Sequence, residues 1–306
     1  MLLCCLARGL DAQSLSYLEA QKRYEKKEYL AAMLAAQKAV QEDGNNAEYR
    51  HLYGSVLLEM KQFTEAEENL RKAVALNPNQ ADYQYSLGAL LLQQKFEAAI
   101  ARQLSLGEKK PRAWLIDAEG VRSLERAVEL DPNHLKARLY LGRMYYEQNR
   151  HDRAMEQFDF IVKKDPRYPW VHSHRAVIHM NAGTVQDAIQ ELKTELQFHR
   201  AHTSARLDLG EAYLKAGKPG LALEQFEAAA TEDPEMLSLP ALHYGLGKAY
   251  RDLGQAEKGI ASLRRCTELN PSFPDAHYLL GRLYRETGQT EAAQIEMEKF
   301  EKLKRQ

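Results

Sequence analysis

The feature that most constrains this chain is a period. Glycine recurs at Gly54, Gly88, Gly142, Gly210, Gly247 and Gly281, Ala176 fills the one vacant place, and the successive spacings are 34, 54, 34, 34, 37 and 34 residues. A fixed interval of this size predicts one small unit stacked many times, each touching only its neighbours, so the 306 residues need not divide into globular domains. Such an array offers a long surface and no obvious deep catalytic pocket.

The interval carries a pattern. Gly54 is followed three residues on by Leu57, twelve on by Ala66 and twenty-four on by Pro78. The same offsets give Tyr145, Ala154 and Pro166 after Gly142, Tyr213, Ala222 and Pro234 after Gly210, and Tyr250, Gly259 and Pro271 after Gly247. Apolar residues near the glycine, such as Tyr53, Leu57 and Met60, step by four and three, which is helical periodicity. A polar break follows (Asn149, Gly183, Gly217, Gly254, Gly288), then a second helix that stops at Asn77-Pro78, Asp131-Pro132, Asp165-Pro166, Asp233-Pro234 or Asn270-Pro271. Proline disfavours helical geometry in the residue before it, so these pairs are stops. Each unit is predicted to be a helical hairpin.

On Leu141-Gly142-x-x-Tyr145, Ala154, Phe158 and Asp165-Pro166, and their equivalents elsewhere, the chain resembles the tetratricopeptide repeat family. The resemblance implies an all-α, right-handed superhelical solenoid of about eight helix-turn-helix repeats, its concave wall lined by the first helix of each. The expected units are 13–46, 47–80, 81–134, 135–168, 169–202, 203–236, 240–273 and 274–306, one solenoid after a tail over 1–12. Three departures stand out. Unit 169–202 has Glu195 where several others have Ala, and lacks the terminal proline. Leu237-Ser238-Leu239 is a spacer. Unit 81–134 is twenty residues too long; deleting 97–116 restores the register, and the insertion, with Gly107-Glu108-Lys109-Lys110-Pro111 and Trp114, reads as a loop with a lengthened second helix or as a projecting anchor.

A groove face is expected at the residues three before the glycine position, one after it and four after it, which share one side of the first helix. In the middle this stripe gives Leu139, Arg143 and Tyr146, then Val177 and Met180, then Leu207 and Leu214. In the last two units it gives Tyr244, Lys248 and Arg251, and Tyr278, Arg282 and Arg285, an aromatic-basic-basic pattern suited to an acidic peptide. Asp252, Asp275 and Glu286 lie close enough in sequence to neutralise those cations. The Lys and Asn clamp by which some family members hold chaperone C-termini is not carried here, since the first stripe positions are Tyr17, Gln21, His51 and Ser55.

No catalytic residue, metal site or cofactor is expected. His172, His174, His179, His199 and His202 cluster, and His172 and His179 share a helix face, but both fall at packing positions and read as helix-packing imidazoles, as do His243 and His277. Tyr244-Gly245-Leu246-Gly247 lies inside a predicted helix with no preceding strand, so it fails as a dinucleotide loop. The three cysteines include no CxxC spacing, and Cys266 falls where other units carry a buried Ala. A net charge of −1 argues against a nucleic-acid binder, and no stretch is long and apolar enough for a membrane span. Leu2 to Ala7 is shorter than a signal-peptide core. A cytoplasmic chain is slightly favoured over an exported one with a truncated signal, and a lipid anchor at Cys4 or Cys5 is a third reading. The expected function is a non-enzymatic adaptor or scaffold for a protein or peptide. Two alternatives remain: an assembly factor of a cell-envelope or pilus-like complex, and a regulatory subunit of an enzyme on another chain. The last helix, with Phe300 and Leu303, is an expected site of self-association.

Overall fold

The computed structural model describes residues 14–106 and 117–305, with the backbone alone over 98–106. The described residues form helices and turns, without a strand. Paired in chain order, the helices are α1 (Leu15–Glu25) with α2 (Tyr29–Glu42), α3 (Ala47–Glu59) with α4 (Phe63–Leu76), and α5 (Ala81–Leu106) with α6 (Ala118–Leu130). There follow α7 (Leu135–Glu147) with α8 (His151–Lys164), α9 (Val171–Ala182) with α10 (Val185–Phe198), and α11 (Thr203–Lys215) with α12 (Pro219–Glu232). The last pairs are α13 (Pro240–Asp252) with α14 (Ala256–Leu269), and α15 (Pro274–Glu286) with α16 (Thr290–Lys304). The hairpins predicted from the period are therefore present.

By compactness the chain divides into two units, Met1–Gln157 and Phe158–Gln306, the division falling inside α8. In the first unit each hairpin packs on the next, and the first helices α1, α3, α5 and α7 also touch in sequence. In the second unit too each hairpin packs on the next, with α10 on α11, α12 on α13 and α14 on α15, and α11 also touches α13. The period is what permits the packing. A Cβ on Gly88 would lie 2.9 Å from the backbone oxygen of Gly120, so α5 and α6 approach too closely for any other residue.

The turns inside the hairpins hold their central residue in the left-handed region, which glycine enters without steric cost. Gly183, Gly217, Gly254 and Gly288 take it at φ between 70° and 79°, and Asn149, Lys61 and Lys27 take the equivalent place at 57–59°. At the stops, proline acts with the residue before it. Asp131, Asp165, Asp233 and Asn270 each accept, through a side-chain oxygen, the backbone N–H two residues on, at 2.9–3.0 Å. Such Asx turns give the departing chain a fixed direction.

The twenty-residue insertion lengthens the first helix of its unit, not the second as expected. α5 has 26 residues where α3 and α7 have 13, so it runs about 20 Å past the usual end. Nothing between Gln94 and Leu106 breaks a helix, and a register argument alone cannot say which helix absorbs the extra length. Gly107–Pro111 and Trp114 lie outside the described residues, as do Cys4, Cys5 and the tail 1–12. The spacer after α12 forms a single 3-10 turn, Pro234–Ser238. Cys266 is fully buried, as the repeat predicted, and burial pushes its thiol up to about 11, where it is inert at neutral pH.

Unit 169–202 compensates for its own departures. Trp170 precedes α9 at φ +71°, a left-handed conformation that bulky residues rarely adopt. Its backbone N–H donates to Glu195 Oε1 at 3.0 Å, and the same oxygen lies 3.0 Å from His202 Nδ1. Glu195 is 1% exposed. Burial raises its pKa, but these hydrogen bonds and the nearby imidazoles outweigh burial and hold it below the usual carboxylate range.

Candidate binding groove

In the first unit three first helices wall a groove. α3 contributes Ser55 and Leu58, α5 contributes Tyr85, Ala89 and Leu92, and α7 contributes Tyr140, Arg143 and Met144. The groove holds two adjoining depressions that share Gln93 and Tyr140. One, of about 290 Å³, is rich in hydroxyls, with Tyr24, Ser55, Tyr85 and Ser86 around Lys136. The other, of about 380 Å³, is walled by Leu92, Phe96, Tyr140 and Met144. Phe96, 55% exposed, belongs to the extra turns of α5. The extension therefore supplies one wall of the apolar depression.

His51 sits beside the polar depression, 2.8 Å from Ser86 Oγ, with its ring tilted against that of Tyr83 at 4.6 Å. Burial pushes its pKa down to about 4 against the opposing charge of Asp82, so the ring is neutral at physiological pH.

The sequence-predicted residues separate into three groups. Arg143 lines the apolar depression, with its guanidinium 5.5 Å from the centre of the Tyr140 ring. Leu139 and Tyr146 are half-buried on the same helix, and the Tyr146 ring packs toward His151. In the second unit Met180, Leu207 and Leu214 are half-buried against the core, which accounts for part of their apolar character; Val177 is half-buried beside them in sequence.

The C-terminal aromatic-basic-basic residues are largely engaged with their own chain. Lys248 bonds Glu211 at 2.8 Å, Arg251 bonds Asp252 at 2.7 Å, and Arg282 reaches Glu286 at 3.5 Å. Arg285 is exposed and has no ion pair with a described residue. Tyr244 packs on Phe273, and Tyr278 on Phe300, with ring centres 4.9 and 5.1 Å apart. Burial, then the charges of Asp275 and Glu211, push the Tyr244 hydroxyl up to about 12. A ligand carboxylate here would have to displace carboxylates already in place.

His174 packs on Phe158 and His202 on Trp170, whereas His172, His243 and His277 also serve as hydrogen-bonding ties. Four residues before the glycine position, successive units carry Arg50, Gln84, Arg138, His172, Arg206, His243 and His277. Each donates to the backbone carbonyl six residues earlier, at 2.7–3.4 Å. Several also reach a polar group on the second helix: Arg50 to Asn69, Arg138 to Gln157, His172 to Glu191 and His277 to Glu296, at 2.5–2.8 Å. The position is a polar tie between the inter-repeat turn and both helices. Among the described residues no three His, Cys, Asp or Glu side chains are grouped to hold a metal ion, and no helix is long and apolar enough to cross a membrane.

The tie in α9 is sensitive to pH. Both nitrogens of His172 face acceptors, the Pro166 carbonyl and the Glu191 carboxylate. Burial lowers its pKa, but these bonds and the charges of Glu191 and Glu195 outweigh burial and leave it above 6.5. A raised folded-state pKa gives stability that is full below 6.5 and is lost as pH climbs through the folded value. Wild type should therefore lose stability relative to His172→Gln between pH 6 and pH 9, by about 1.5 kcal/mol, the low end for a hydrogen bond to a charged group. Parallel urea titrations at the two pH values measure it; equal changes in both proteins would refute it.

Family profiles described as TPR repeat match residues 54–95 and 247–288, and profiles described as tetratricopeptide repeat match 118–169, 175–236 and 274–306. The chain belongs to the tetratricopeptide repeat family, and no enzyme family is indicated. It is 25% identical over 149 residues to Superkiller protein 3 of Schizosaccharomyces pombe, covering 46% of this chain but only 10% of that protein. Among solved structures it resembles the APC/C assembly Cut9-Hcn1 (TM-score 0.64, 16% identity, 97% of this chain and 54% of that one). It also resembles PilW, a type IV pilus biogenesis factor (TM-score 0.59, 17% identity, 72% of this chain and 94% of that one). At these identities the structural likeness shows the fold alone.

Proposed function

We propose that this chain is a non-enzymatic interaction scaffold whose main seat for a partner segment is the groove between α3, α5 and α7. The observation that carries this reading is the apolar depression of about 380 Å³ beside a hydroxyl-lined one, with Tyr140 common to both. Pockets of such size with a few convergent polar groups are where ligands settle. The basic C-terminal stripe is a secondary contact, because most of its cations already hold carboxylates. Self-association through α16 is a further reading, in which Leu303 would take part and Phe300 only in so far as it leaves Tyr278.

A photo-crosslinking amino acid placed at Tyr140 or at Tyr278 tests this in lysate of the source organism. A partner should be captured from Tyr140, and the yield should fall at least tenfold when Met144→Glu is added to a folded protein. Capture from Tyr278 alone would refute the placement and favour the C-terminal stripe. The captured protein's identity would also separate an adaptor from an enzyme's regulatory subunit or an envelope assembly factor.

A further inference from the structure

We infer that the groove selects an extended acidic segment with one bulky apolar side chain, seated in the pocket that the extra turns of α5 complete. The inference rests on the reading above and adds the chemistry of the ligand. Three observations carry it.

The first is the pocket's wall. An ordinary first helix here ends five residues past its glycine, as α3 ends at Glu59 after Gly54. By that register α5 would end at Gln93, so Phe96 and Glu97 exist at the groove only because the helix continues. Phe96 is open to solvent although it lies beside Leu92, Tyr140 and Met144. These four side chains form an apolar recess on an otherwise polar face, and such recesses accept the anchor residue of a partner.

The second is charge. Lys136 and Arg143 flank Tyr140 on α7, both exposed and neither in an ion pair with a described residue. Lys136 contributes to lowering the Asp82 pKa through space but forms no ion pair with it, and the carboxylate is bonded to His134 at 3.1 Å. Among the rim carboxylates, Glu97 is held by Lys61 at 2.7 Å, Glu59 lies at the Tyr24 end, and Glu147 is half-buried one turn past Arg143. Arg143 lines the apolar recess beside Glu97 and Glu147, Lys136 lines the adjoining polar depression, and neither cation is ion-paired with a described residue, in contrast to Lys248, Arg251 and Arg282.

The third is spacing. Seven residues of α7 separate Lys136 from Arg143, about 10 Å along the helix. An extended chain covers that distance in about three residues. A ligand with carboxylates three residues apart and a large apolar side chain between them meets both cations and fills the recess at once. Carboxylate recognition by Arg is directional, which fixes the register of such a segment.

The test is a selection of random displayed twelve-residue peptides on the purified full chain. Winners are then synthesised and measured by fluorescence anisotropy. The enriched set should place Phe, Leu, Met or Trp between acidic residues about three apart. Binding should fall at least tenfold with Met144→Glu and with Phe96→Ala, the latter an exposed position at which folding is not at risk. Lys136→Glu with Arg143→Glu should reverse the preference toward basic peptides while keeping the apolar residue. Peptides lost with Met144→Glu yet indifferent to acidic residues would overturn this inference and leave the groove as the seat. Peptides unaffected by every groove variant would overturn both. No enrichment at all counts against the inference, as does a dimer in sedimentation that Met144→Glu converts to monomer, since the occupant would then be a second copy.

Discussion

Replacing Phe226 by alanine should cost the second unit about 3–5 kcal/mol, the range of large-to-small changes at a buried aromatic. Phe226 is 1% exposed in α12, and its ring rests on two glycines at once. A Cβ on Gly210 would come within 2.5 Å of the ring, and one on Gly245 within 2.6 Å. The ring therefore fills the space that α11 and α13 both leave by lacking a side chain. Alanine would leave a gap between three helices that none can close without moving its backbone. Urea unfolding followed by circular dichroism reads the loss. A cost below ~1 kcal/mol, under the range for such truncations, would mean that α11 and α13 collapse freely onto each other.

Glu195→Ala should also destabilise, by about 2–4 kcal/mol, although it restores the residue most other units carry. The substitution leaves the Trp170 N–H without its acceptor, in a backbone conformation already unfavourable for that residue, and removes the carboxylate beside His202 Nδ1. The indole of Trp170, 50% exposed and packed edge-on against His202, supplies a local probe. Near-ultraviolet circular dichroism of Trp170 should weaken before the helices melt. A variant at least as stable as wild type would show that repeat statistics outweigh the local hydrogen bonds here.

The repeat was legible because its causes are local. Close approach at the glycines, left-handed turns and Asx-Pro stops each leave a residue at a fixed offset. The groove was legible only in part, because two neighbouring first helices wall it from opposite sides. Ser55, Leu58, Tyr85, Ala89, Leu92 and Arg143 of the proposed groove fall on the stripe of positions read from the repeat, but Tyr140 and Met144, which line it from the next helix, do not. Nor does Phe96, which lies beside the deleted stretch and drew no attention while that stretch read as a loop. The partners of the C-terminal cations were legible in part, since Asp252 and Glu286 do pair with Arg251 and Arg282. The partner of Lys248, however, is Glu211, 37 residues away and one repeat back. The recurring ties were hidden because Arg, Gln and His share no class in a hydropathy pattern, although all three are hydrogen-bond donors.

Those ties decide where this chain tolerates added length. A donor that must find the carbonyl six residues earlier holds the segment between repeats to a fixed reach, whereas the turn within a hairpin carries no such constraint. Twenty residues could therefore enter between α5 and α6 and leave the neighbouring hairpins in register. The three added after α12 met a stricter rule, and they satisfy it: the chain winds through one 3-10 turn, Pro234–Ser238, that still presents the Leu237 carbonyl to His243. Inheritance of new surface in such an array would thus run through the hairpin tips, while the joints between repeats stay fixed in length.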